Sequence, residues 1–125
     1  MAAGVLEGLW TAVFAFPESE SGAPVHGAII VLKGSKIIGG DSWYFYSGQY
    51  SETTGKFTAT ITTSHYAGPL SSPLMRNRRQ GKIEFVETER GADRAGNMTL
   101  SLSGRLLEDP TATVLAELTH RSSIA

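Results

Sequence analysis

Apolar and polar residues alternate with a period of two along much of this chain. The clearest stretch runs from Lys56 to Tyr66, where Phe57, Ala59, Ile61, Thr63 and His65 interleave with Lys56, Thr58, Thr60, Thr62 and Ser64. A helix would mix those two sets on every face, whereas a strand sends them to opposite sides. Met98, Leu100, Leu102, Gly104 and Leu106 alternate with Thr99, Ser101, Ser103 and Arg105 in the same way. Ala112, Val114, Ala116 and Leu118 interleave with Thr113, Glu117 and Thr119. Other segments are apolar on both faces: Leu9 to Phe16, Ala28 to Leu32, Ile37-Ile38 after a tight Lys33-Gly34-Ser35 turn, aromatic Trp43 to Tyr50, and Lys82 to Glu89. Turn residues at Thr54-Gly55, Ala95-Gly96-Asn97 and Glu108-Asp109-Pro110 separate the runs. The spacing predicts about eight strands, the pattern of an all-β sandwich or barrel.

Two connections are longer. Glu18 to Pro24 is polar and small, and Ala67 to Gln80 is long enough to pack as a feature of its own. Within the second, Ser72-Pro73 reads as a helix cap and first helical position, so at most one short helix is expected in 67–80. The alternating faces favour one antiparallel barrel over residues 1–125. Its presumed inner face carries Ala12, Ala28, Ala59, Gly104, Ala112 and Ala116, small residues that leave volume for a small apolar ligand. The expected lining is Trp10, Phe14, Phe57, Ala59, Ile61, Leu100, Leu102, Val114 and Ala116, with the long loop covering one end through Leu70, Leu74 and Met75. The competing expectation is that Trp10, Phe14, Phe57 and Leu102 fill the space themselves. With Trp10 and Ile30 inside, Leu9, Val13, Ile29 and Val31 fall outside as an apolar patch, which predicts a homodimer.

Charge and composition narrow the function. Eleven basic against twelve acidic residues, net charge −1, give no basic excess for nucleic acid or anionic lipid. Without cysteine there is no thiolate nucleophile, disulfide or zinc ribbon. Glu7 interrupts the short apolar start and no basic residue precedes it, so no secretory signal is expected. No apolar run is long enough for a membrane-spanning helix, and the chain reads as soluble and cytoplasmic.

Candidate chemistry is sparse. His26, His65 and His120 lack metal-ligand spacing, and no nucleophile elbow or phosphate loop occurs, so no cofactor, metal or catalytic residue is expected. Arg76, Arg78 and Arg79 form a short basic cluster that reads as a solvated loop or an anion grip. Gly39-Gly40-Asp41-Ser42 reads as a sharp bend, held by an aspartate that bonds nearby amides.

That stretch, followed by Tyr46-Ser47-Gly48-Gln49-Tyr50 and preceded by Gly8-Leu9-Trp10 and the hairpin His26 to Ile38, resembles the GrlR family of small bacterial proteins. The family is named for a negative regulator of type III secretion genes. The resemblance covers about residues 5–66 and continues as a matching series of strands. It implies a lipocalin-like barrel, a homodimer, and repression by binding a transcriptional activator rather than DNA. The founding type carries four acidic residues in one turn as a handle for the activator. Here that turn, Ser51-Glu52-Thr53-Thr54-Gly55, has one acid. Gly8-Leu9-Trp10 also resembles the first strand of lipocalins, where the tryptophan closes a barrel end beneath an arginine, a role that Arg121 would fill. The expected function is therefore non-enzymatic regulation by protein contact, with carriage of an apolar ligand as the alternative.

Overall fold

Period-two alternation becomes strand pairing throughout. The computed structural model describes residues 6–15, 26–68, 75 and 78–123. Its strands are β1 (Gly8–Ala15), β2 (His26–Lys33), β3 (Lys36–Gly40), β4 (Tyr44–Thr53), β5 (Lys56–His65), β6 (Gln80–Ala92), β7 (Met98–Leu106) and β8 (Asp109–Ser122). Each is antiparallel to the next, and β8 returns to pair with β1, so the eight strands close into a barrel. No helix occurs among the described residues. Most of the short helix expected within 67–80 lies outside the described residues, as do Phe16, Leu70, Leu74, Arg76 and the connection 18–24.

One end of the barrel carries the β2–β3, β4–β5 and β6–β7 connections, and the other carries β3–β4, β5–β6 and β7–β8. Closure leaves no free sheet edge, so every inward side chain enters one shared core. Trp10, Phe57, Leu32, Leu100, Leu106 and Val114 are fully buried there, and Phe14, Ile61, Leu102 and all five of the predicted alanines, Ala12, Ala28, Ala59, Ala112 and Ala116, lie with them. Met75, from the long β5–β6 connection, is buried against Gly81 and Leu106 and plugs one end as expected. Arg78 is half-buried and Arg79 exposed.

At the opposite end the plug is polar. The last β5–β6 partners are Thr58 and Val86, and an extra residue, Thr88, then bulges β6 between Glu87 and Glu89. The Glu87 carboxylate takes the place of a ladder bond, accepting the Phe57 N–H at 2.9 Å. Arg90 grips Glu87 through Nε (3.1 Å) and Nη2 (2.8 Å) and reaches Glu52 on β4 at 3.1 Å. Buried charge is tolerated only when paired and hydrogen-bonded, and Glu87, 8% exposed, meets both conditions. The hydrogen bond from Arg90 holds its carboxyl below the usual glutamate range, against the opposing effect of burial.

Two stability measurements check this packing. Leu102→Ala should cost about 2–5 kcal/mol in denaturant unfolding, the range for a buried leucine. Because Glu87 titrates lower in the folded state than in the unfolded chain, its contribution is complete above the unfolded value, about 4.3, and fades as pH falls through the folded one. Glu87→Gln should therefore cost about 1–3 kcal/mol at neutral pH, and the gap from wild type should shrink in acid. A gap independent of pH would contradict the clamp.

Candidate functional site

The interior, as far as the described residues enclose it, is densely packed. The cavity that the described residues enclose at the centre of the core measures about 20 Å³, room for about one water. Phe14, Phe57, Ala59, Ile61, Leu102 and Ala116 line it together with Phe85 and Leu118, whereas Trp10, Leu100 and Val114 are buried in the core without reaching it. The small inward residues do not leave space because large ones from neighbouring strands cover them. A Cβ on Gly104 would lie 2.6 Å from the Phe85 ring, and Phe14 meets Tyr46 edge to face at 6.2 Å. Small barrels commonly alternate large and small residues in this way.

The barrel end at Trp10 also differs from the lipocalin-like expectation. Trp10 donates its indole N–H to the Leu6 carbonyl at 2.8 Å, and its ring is covered edge-on by His120 at 5.1 Å, not by Arg121. Alternation along β8 turns His120 inward after Leu118 and Arg121 outward, and the ladder shifts just beyond, where Leu9 pairs with Ser122. On the outside, Arg121 Nε donates to Thr11 Oγ1 at 2.9 Å. Gly8, at φ 143°, lets the His120 ring lie where a Cβ would stand. His65 sits at the far end, edge-on to Tyr44 at 5.3 Å and 2.9 Å from the Gly68 carbonyl. These two histidines thus pack at opposite ends of the barrel and do not converge, and the His26 side chain lies outside the described residues.

Gly39, Gly40, Asp41 and Ser42 form the corner between β3 and β4. A Cβ on Gly39 would stand 2.2 Å from the Ile29 carbonyl oxygen, so β2 and β3 approach closely only with glycine there. Asp41 Oδ1 accepts the N–H groups of Trp43 and Tyr44, each at 2.8 Å, and Oδ2 accepts the Tyr46 hydroxyl. Tyr66 donates its hydroxyl to the Asp41 carbonyl at 2.6 Å. Burial, followed by the hydrogen bond to Asp41, pushes the Tyr46 phenol far above its ordinary range, so it stays neutral and donates. With three donors on its carboxylate, Asp41 has the geometry of a turn clamp rather than of an exposed acid or base.

The clamp turns β3 away while β2 continues. The last β2–β3 partners are Ile29 and Gly40, but β2 extends back to His26. The gap between them opens on the outer wall as a groove of about 650 Å³, bordered by Thr11, Val13, Gly27, Ile29, Gly40, Asp41, Ser42, Tyr66 and Arg121. Val13 is 52% exposed and Ile29 49%, while Leu9 and Val31 of the expected patch are half-buried. Ile38, 58% exposed, and Phe45 and Tyr66 carry the apolar surface onward across β3 and β4. The motif and the outer patch, read from separate parts of the sequence, thus meet in one place. Arg121 was expected over Trp10 from the resemblance, although alternation from Leu118 turns it outward, and Tyr66 was not foreseen because a residue beyond a strand end shows no alternation.

These features define a closed eight-stranded antiparallel barrel whose described core is densely packed and whose outer wall carries a groove. No protein-family model matches the chain, and no curated protein matches it.

Removing the clamp checks its role. Asp41→Ala leaves two partly buried N–H groups and the buried Tyr46 hydroxyl without their acceptor and should cost about 1–3 kcal/mol. Equal stability of variant and wild type would show that the corner holds itself.

Proposed function

We propose that this protein acts by protein–protein contact through the outer wall of its barrel, as a cytoplasmic, GrlR-like regulator that occupies another protein, and not as an enzyme or a carrier. One observation carries the reading: the interior retains about 20 Å³, while exposed apolar side chains gather beside a groove on the outside. Contiguous apolar surface on a soluble domain marks an interaction site. A lipid-like cargo would need a pocket of several hundred cubic ångströms, so the interior gives the carrier reading no support.

The resemblance to the GrlR family supplies the kind of partner, a transcriptional regulator, and the barrel with its Gly-Gly-Asp corner is consistent with it. The contact used by the founding type is not supported. Glu52, the one acid of the β4–β5 turn, is engaged by Arg90 and offers little as a handle. Recognition would instead fall on the wall.

Native mass spectrometry of freshly purified protein tests the reading. The expected result is protein mass with no retained amphiphile, together with no saturable binding of a naphthalene dye. A stoichiometric lipid-like mass would overturn it in favour of the carrier.

A further inference from the structure

The notch beside β2 offers backbone as well as side chains. The Ile29 carbonyl faces β3, where a Cβ on Gly39 would meet its oxygen at 2.2 Å. Backbone groups turn to the same neighbouring strand at every second residue, so the Gly27 N–H and C=O face that side too. The β1 side agrees. Gly27 is the partner of Val13 there, yet the oxygen near a Gly27 Cβ belongs to Ala12, at 4.0 Å, as in a pair that exchanges no bonds. Pairing with β3 stops at Ile29 and Gly40, so among the described residues no strand stands opposite Gly27 on its β3 side. An N–H and C=O left at a strand edge are a template for another extended chain.

We propose that the notch takes an extended, acidic segment of a partner protein, added to β2 in the line that β3 leaves at Gly40. One residue of the segment exchanges both backbone bonds with Gly27, and its side chain points outward as that of Ile29 does. Gly27 is exposed and bare, so this side chain can cross β2 between Val13 and Ile29 toward Thr11. Charge decides its character. The groove's lining holds one cation, Arg121, whose Nε reaches Thr11, and one carboxylate, Asp41, already met by three donors. The charge left for an occupant is positive, and a glutamate at the crossing meets it. Glu117, the nearby acid of β8, lies outside that lining and opposes the attraction. The segment's flanking residues turn inward, toward the buried Phe14 and Ala28, and suit apolar side chains. Strand addition rests on the outer-wall reading above and gives that contact its chemistry.

Amide NMR titration of the whole chain with the pentapeptide acetyl-Thr-Val-Glu-Val-Thr-amide tests it. The expected result is saturable binding at about 0.1–1 mM, with the largest shifts at Gly27, Ile29 and Ser42. Methylating the peptide's glutamate nitrogen removes the donor to the Gly27 carbonyl and should abolish binding with every side chain still in place. Arg121→Gln should weaken binding about threefold or more, and Glu117→Gln should tighten it. The peptide with glutamine for glutamate should be indifferent to both. Gly27→Leu, which blocks the crossing, should weaken binding with an unchanged far-ultraviolet circular dichroism spectrum. No shift at about 5 mM peptide would overturn the proposal, as would binding that survives methylation or ignores Arg121→Gln. Gly27 shifts that follow protein concentration rather than peptide would give the notch to a second copy and overturn it too. In lipid-free protein, failure of the peptide would leave the outer-wall reading standing, whereas retained lipid would remove that reading itself.

Discussion

Pairing of β1 with β8 is the constraint on which the rest of this molecule depends. Once the eighth strand bonds to the first, circumference and enclosed volume are both set, and each inward side chain must fit what stands opposite. Phe85 covers Gly104, Tyr46 stands edge-on to Phe14, and Met75 closes what the strands leave open. The local irregularities serve the same closure. The bulge at Thr88 swings β6 off β5 beside the Glu87–Phe57 bond, and beyond the Trp10–His120 pair the ladder shifts to join Leu9 with Ser122.

Closure also separates what the two sides of the wall can do. Inside, the described side chains pack densely around a cavity of about one water's volume. Outside, the short β3 and the Asp41 clamp break the regular wall and leave a recess beside protruding apolar side chains. The corner is therefore held by its bonds and shapes the recess beside it.

How far the amino-acid order disclosed this can be judged from particular residues. Alternation in β5 and β7 placed Phe57, Ile61, Leu100 and Leu102 inward, because a half-buried strand writes its two faces directly into sequence. The same alternation says nothing about which residue lies across from which. Ala59 and Gly104 therefore read as spare volume until cross-strand register set Phe85 over Gly104. Bulges escape the pattern for a related reason: the extra residue Thr88 exchanges the two faces of β6, which brings Arg90 to the side of Glu87 and hides their clamp, whereas Arg121 lies outward and His120 inward as alternation from Leu118 requires. Asp41 was legible as a turn holder because its partners are near in sequence, while Tyr66, twenty-five positions away, was not.

The strand order carries a kinetic consequence. Every ladder except one joins strands adjacent in sequence, so seven pairings can zip from neighbouring hairpins at small loop-closure cost. The seam between β1 and β8 brings together residues more than a hundred positions apart, such as Trp10 and His120. Until it closes, the chain is a curved open sheet with two raw edges and an exposed apolar lining, the form most prone to join a neighbouring molecule's strand. The seam's contacts are thus the ones with the highest loop-closure cost, and substitutions there are expected to slow folding more than their burial alone suggests.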